Sequence, residues 1–214
     1  NKRPVTLIEH HDSASEQSDT IHLVKHITLK PHAKLTYLTV ETLSHKTSII
    51  SQEKIIQSEG SFLRMHNHHF GSDFQVQQTE IQLNGKQSEA HWSAFSTLEN
   101  KQNKQHHIVM DHHGKDQHST QYAHAIGRDQ SNGELNSLVR ARPGSERLTT
   151  KQTSHNLLLS RQAKLSAKPN LAIDHEDVQC QHGATIGPLS DEALFYLKTR
   201  GINHDQALAM ITEA

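Results

Sequence analysis

The chain has 214 residues, of which 33% are hydrophobic, and its 22 Lys and Arg residues nearly balance 23 Asp and Glu residues. This balance offers no basic field for nucleic acid, and no apolar run approaches the roughly 20 residues that cross a bilayer, so neither partner is expected. The single cysteine, Cys180, excludes an intramolecular disulfide and favours a reducing compartment.

From about residue 20 to residue 187, apolar and polar residues mostly alternate, which predicts half-buried β-strands. Predicted strand starts recur roughly every 10 residues, and turn signals fall between them. The turn signals are Lys30-Pro31, Glu59-Gly60, Asn84-Gly85, His113-Gly114, Asn132-Gly133 and Pro143-Gly144. No helical pattern lies between the strands, which argues against a doubly wound α/β fold. The pattern alone leaves a coiled β-helix and a β-sandwich equally open.

Near residue 189 the spacing of apolar residues changes from the period of two that is typical of strands to a helical period. Ser190 is predicted to cap a first helix that Gly201 ends, and Asn203 is predicted to cap a second. We therefore expect a mainly β body over residues 1–188 and a short helical segment over residues 189–214. The second helix is expected to be cut short at Ala214.

Several sequence blocks in the last sixty residues occur in an order that resembles a known family. The blocks are Asn156-Leu-Leu-Leu-Ser160, Lys168-Pro-Asn-Leu171, Asp177-Val-Gln-Cys180-Gln-His182-Gly-Ala-Thr-Ile-Gly187, Ala193-Leu-Phe-Tyr-Leu197 and Arg200-Gly-Ile202. They resemble the C-terminal part of the SufB/SufD family of the SUF iron–sulfur assembly system, on its SufD branch. The sequence departs from the family in its abundant histidine and in lacking a Phe-Gly near residues 134–137. The family's N-terminal helical region is not found.

The resemblance implies a right-handed parallel β-helix with a short C-terminal helical segment, acting as a non-catalytic scaffold in the cytoplasm. It implies a SufB-like protomer paired through the β-helices and a SufC-like ATPase that docks on the final helices and hydrolyses ATP. No cofactor is expected to stay bound to this chain alone; iron or an iron–sulfur cluster would be held transiently in the complex. An isolated β-helix has exposed strand edges, so a homodimer is a further expectation.

Cys180 and His182 are two residues apart, so on a strand both side chains share a face with Cβ atoms about 7 Å apart. A thiolate and an imidazole can bind iron or zinc, but two ligands need a partner chain to complete the site. The resemblance places this pair at the cluster-assembly interface with SufB. A buried free cysteine beside a hydrogen-bonded histidine remains the alternative.

The resemblance assigns ATPase docking to Phe195, Tyr196, Arg200 and Gly201. Leu194 and Leu197 are expected to form the apolar side of the first helix that packs inward. Phe195 and Tyr196 are 100° apart around the helix, so they cannot both lie on that side. At least one aromatic ring is therefore expected to be available to a partner, although packing against the β body is equally open.

The 20 histidines raise the alternative of a stand-alone histidine-rich metal-binding β-protein. Because the same stretches are rich in Gln, Lys and Asn, we expect most of these histidines to lie on a solvated surface. Catalytic residues are not predicted, since no Gly-x-Ser-x-Gly elbow or phosphate-binding loop occurs. A β-solenoid hydrolase would need convergent acids, and Asp111, Asp116 and Asp129 are expected in solvated loops instead.

Overall fold

The computed structural model describes residues 3–13, 18–173 and 177–213. Within these residues, consecutive strands begin 12 to 16 residues apart, a longer spacing than the sequence predicted. The strands are β1 (Val5–Asp12), β2 (Asp19–Leu29), β3 (Lys34–Leu43), β4 (Thr47–Gln57), β5 (Phe62–Gly71), β6 (Phe74–Leu83), β7 (Glu89–Leu98), β8 (Asn103–His112), β9 (His118–Gly127), β10 (Asn132–Ala141), β11 (Leu148–Leu158), β12 (Lys164–Ile173) and β13 (Val178–Pro188).

Successive strands alternate between two parallel sheets. One sheet has the order β1-β3-β5-β7-β9-β11-β13, and the other has the order β12-β10-β8-β6-β4-β2. Each strand pairs in parallel with the strand two places along the chain, one coil further on, as Phe62 of β5 does with Glu89 of β7. The chain therefore forms a parallel β-helix of about six coils, which confirms the expected fold and excludes an antiparallel sandwich.

The core fills the space between the two sheets. Inward positions such as Leu63, Met65, Ile81 and Trp92 are at most 2% exposed, while their neighbours along each strand face outward. Burying each such side chain contributes about 1.5–3 kcal/mol relative to an exposed one. Period-two alternation in the sequence therefore marks the lumen wall of the β-helix.

The turn signals of the sequence fall between strands, with one exception. The expected turn at Asn132-Gly133 is wrong, because β10 already begins at Asn132 and the chain turns at Asp129, where φ is +56°. A Cβ on Gly133 would lie 2.6 Å from a methyl group of Leu165. This glycine permits close packing between coils.

Two helices follow the last strand, as predicted. The first, α1 (Asp191–Thr199), is capped by Ser190, whose Oγ accepts a 3.1 Å hydrogen bond from the Ala193 amide. The second, α2 (His204–Glu213), is capped by Asn203, whose Oδ1 accepts a 2.9 Å hydrogen bond from the Gln206 amide. In the part of the chain that the structure describes, neither helix is long and apolar enough to cross a membrane.

Candidate functional site

The last coil of the β-helix carries the two residues that the sequence analysis selected. Strand β13 pairs with β11, so Cys180 lies beside Thr150 and His182 lies beside Gln152. Thr150 and Gln152 are both 2% exposed and face the lumen. Cys180 and His182 therefore share the lumen side of the sheet, in agreement with their two-residue spacing.

Their exposure follows from their position at the end of the stack. No described strand follows β13 in its sheet, so nothing in the described chain covers this coil as the next coil covers Thr150. Cys180 is half-buried and His182 is exposed. An inward-facing pair at an open end is available to a second molecule.

Cys180 and His182 supply two potential metal ligands within the described residues. Partial burial raises the pKa of the Cys180 thiol, so the neutral thiol is favoured near pH 7 in the absence of a metal or cation. Within the described ranges, no third histidine or carboxylate joins Cys180 and His182 in a metal-ligand cluster. The assignment of these residues to cluster assembly therefore stays a prediction, since two ligands alone do not complete a metal site.

Along the edge of β13 that is opposite β11, backbone amide and carbonyl groups point away from the sheet. The Asp177 carbonyl accepts a bond from Leu148, and the Leu189 amide donates one to Leu158, so odd-numbered residues direct their amide groups toward β11. Because amide direction alternates along a strand, even-numbered residues such as Cys180, His182 and Ala184 direct theirs away from β11. No described strand lies beside these groups, so they form a template for another strand.

The terminal helices expose the residues that the resemblance assigned to docking. Phe195 is 68% exposed and Tyr196 is 57% exposed, so both rings lie outside the packed side of α1. The Arg200 guanidinium lies 5.2 Å from the centre of the Tyr196 ring, and Gly201 ends the helix with φ of +82°. All four residues are exposed, and their role in docking stays a prediction.

The lumen contains polar groups that the sequence analysis missed. Glu41 accepts hydrogen bonds from His69 and Gln75 at 2.7 and 2.8 Å, and the rings of His69 and His106 meet edge to face at 4.7 Å. Burial raises the pKa of Glu41, but the adjacent His69 and His11 together more than offset this and hold that pKa well below its usual range. Beside the cluster, the ammonium group of Lys104 donates to the His69 carbonyl at 3.1 Å, and burial lowers its pKa to about 8.

Three histidines are exceptions to the expected solvated surface, and the expected loop position of Asp111 is wrong. His69, His106 and His112 are buried in the lumen and are not surface residues. Asp111 lies on β8 and not in a solvated loop; it is 0% exposed and accepts two hydrogen bonds from Arg142, at 2.9 and 2.8 Å. The signal for His69 was present in the sequence, since it continues the inward parity of Leu63 and Met65.

Comparison with known proteins identifies the class to which this fold and site belong. The whole chain, residues 1–214, matches the SufBD core domain of SUF-system FeS cluster assembly proteins. The chain belongs to this family, which confirms the resemblance seen in the sequence.

Individual relatives include the iron–sulfur cluster assembly protein SufD of Escherichia coli, 28% identical over 215 residues that cover 98% of this chain and 49% of that protein. An iron–sulfur cluster assembly SufBD family protein of Synechocystis is 25% identical, with 95% of this chain and 45% of that protein covered. SufD of Bacillus subtilis is 23% identical, with 97% and 48% covered. The chain spans about half the length of these relatives.

Proposed function

We propose that this chain is the β-helix part of a scaffold subunit in a SufB–SufC–SufD type complex for iron–sulfur cluster assembly. The observation that carries the proposal is the last coil, where no described strand covers Cys180 and His182. In this proposal the chain is not an enzyme, and ATP is hydrolysed by a SufC-like partner.

Pairing with a SufB-like protomer is proposed along the outer edge of β13. The even-numbered amide groups of this strand can bond to a partner strand, as in β-strand addition. Ile186 on β13 is 44% exposed and Leu171 on β12 is 37% exposed, so the same end of the β-helix offers apolar surface to bury. Strand pairing and apolar burial would together hold the partner over Cys180 and His182.

At this interface, the two side chains would supply a soft sulfur ligand and an imidazole ligand to iron or to a nascent cluster. The partner chain would supply the remaining ligands and would favour the thiolate form of Cys180 through the metal's charge. The iron or cluster is cargo in this scheme and leaves after assembly.

The edge can be tested with a proline. Ala184→Pro removes one outward amide donor and leaves the bonds to β11 intact, since the Ala184 amide points away from β11. We expect at least tenfold weaker binding to a SufB-like protein in a titration, while the matched Ala184→Val variant, which keeps the donor, should bind as the wild type. Equal binding by both variants would exclude this edge.

The chemistry is tested separately by His182→Ala. We expect the variant to form the complex with SufB-like and SufC-like partners but to yield fewer clusters when iron and sulfide are supplied. An unchanged cluster yield in an intact complex would remove His182 from the proposal without affecting the pairing edge.

The docking surface on the helices is tested with Phe195→Ala combined with Tyr196→Ala. Because both rings are exposed, we expect little loss of stability but reduced capture of a SufC-like ATPase. Val24→Ala, at an exposed apolar position on β2 away from the helices, is the control. Capture that is weakened equally by the control would show that these rings have no special part in docking.

A further inference from the structure

The outer face of the seven-stranded sheet brings together three metal-ligating side chains where β7 and β9 begin. Glu89 of β7 is the register partner of His118 of β9, and His91 lies two residues further along on the same face. One ligand atom from each of the three side chains lies within 4.8 Å of the other two. All three are partly exposed, so solvent ions can reach them.

The central imidazole is fixed by its surroundings. The Nδ1 atom of His91 lies 2.8 Å from the Thr120 hydroxyl, and its Nε2 atom lies 2.6 Å from the Glu89 carboxylate. The ring is also flanked by Phe62 and by His118, with ring centres 5.5 and 5.6 Å away. Without a metal, Nε2 carries the proton that it donates to Glu89, and Nδ1 accepts from the Thr120 hydroxyl. For Nε2 to bind a metal, the ring proton must instead sit on Nδ1, which then donates to Thr120 and leaves the Nε2 lone pair facing the space beside Glu89 and His118.

We propose that Glu89, His91 and His118 bind a first-row divalent cation, such as Zn²⁺ or Fe²⁺, on this outer face. Two imidazoles and one carboxylate suit these metals, and three protein ligands leave coordination positions for water or a further ligand. Ligand atoms around such an ion are about 3.4 Å apart, which follows from bonds near 2.1 Å in tetrahedral geometry. The Glu89 side chain is 43% exposed and can adjust to that spacing.

One neighbour opposes the site and limits its affinity. Arg64 is the register partner of His91 on β5, and its guanidinium lies 5.5 Å from the centre of the Phe62 ring. Its positive charge repels a cation and therefore weakens binding.

The site is separate from the pair in the last coil. Strand β11 lies between β9 and β13, and neighbouring strands are about 4.8 Å apart. The triad faces outward, whereas Cys180 and His182 face the lumen side. The inference therefore does not depend on the proposed role of the last coil.

Isothermal titration of Zn²⁺ into the chain carrying Cys180→Ser and His182→Ala tests the proposal without competition from that pair. We expect one ion per chain, and at least tenfold weaker binding after His91→Ala, His118→Ala or Glu89→Gln. The matched control is His124→Ala, another outward histidine on β9, which should bind as the parent does. Zn²⁺ should also raise the melting temperature of the parent and of the control but not of the His118→Ala variant.

Absent or weak binding that is equal in all variants would overturn the proposal, and so would strong binding that survives His91→Ala and His118→Ala. Capture of a SufB-like protein by the same variants provides an independent measurement. It should be unchanged by the triad substitutions, so a failed metal site and a failed scaffold role give different results.

Discussion

Acidification should destabilise this β-helix through His112. The side chain is fully buried, with Nδ1 3.0 Å from the Gln117 amide oxygen and Nε2 2.9 Å from the Ser119 hydroxyl. Burial lowers the pKa of His112 to about 4, although the hydrogen bond with Gln117 partly opposes this effect. The folded protein therefore holds the imidazole neutral through a pH range in which the unfolded chain is protonated.

The size of the effect follows from the two pKa values. The unfolded chain takes up the proton near pH 6.5, so this contribution to stability is complete above that pH and is lost as the pH falls toward 4. Between pH 7 and pH 5, His112 should cost about 2 kcal/mol of unfolding free energy.

The measurement is urea unfolding at pH 7 and pH 5 for the wild type and for His112→Gln. Glutamine keeps hydrogen-bonding groups but cannot titrate, so the wild type should lose about 2 kcal/mol more than the variant between the two pH values. His26→Gln, at an exposed position on β2, is the control and should follow the wild type. Equal losses in the wild type and in His112→Gln would refute the reasoning.

Two further predictions concern the backbone and the lumen. Gly71→Ala should destabilise the protein by more than about 2 kcal/mol, because φ is +75° and the new Cβ would lie 1.7 Å from the Leu43 carbonyl oxygen. Gly144→Ala is the matched control: φ is +86°, but no atom lies within 4 Å of the new Cβ, so the substitution should lower stability by only about 1 kcal/mol. Equal melting temperatures for the two variants would contradict this account. Lys104→Met should stabilise the protein by about 2 kcal/mol at pH 7, because burial lowers the pKa of Lys104 from its ordinary 10.5 to about 8 in the folded state. The lost hydrogen bond to the His69 carbonyl offsets part of this gain. A less stable variant in chemical denaturation would show that the charge is needed.

Local signals in the sequence predicted local structure well. Ser190 and Asn203 cap their helices as expected, because each cap depends on an amide three residues away. The parity of the strands was also readable, and it placed Cys180 and His182 on one side of β13. The choice between β-helix and sandwich was not readable, since parallel pairing joins residues about one coil apart and leaves no mark in the period of a single strand.

The environment of the site depended on the same long-range information. Parity says that Cys180 and His182 share a face. Only the register with β11 shows that this face is the lumen side, and only the strand order shows that no described strand follows β13 and that His182 is left exposed. The triad of Glu89, His91 and His118 was missed because its members meet across neighbouring coils. No spacing along the chain signals that meeting.

Hydrogen exchange at the outer edge of β13 tests the scaffold proposal most directly. The amides of Cys180, His182 and Ala184 point away from β11, so they should exchange quickly in the isolated chain and slow markedly once a SufB-like protein is bound. The odd-numbered amides of the same strand, already paired with β11, serve as the internal reference. If a stable complex forms and the even-numbered amides exchange as fast as before, the partner binds elsewhere and the proposed interface is wrong.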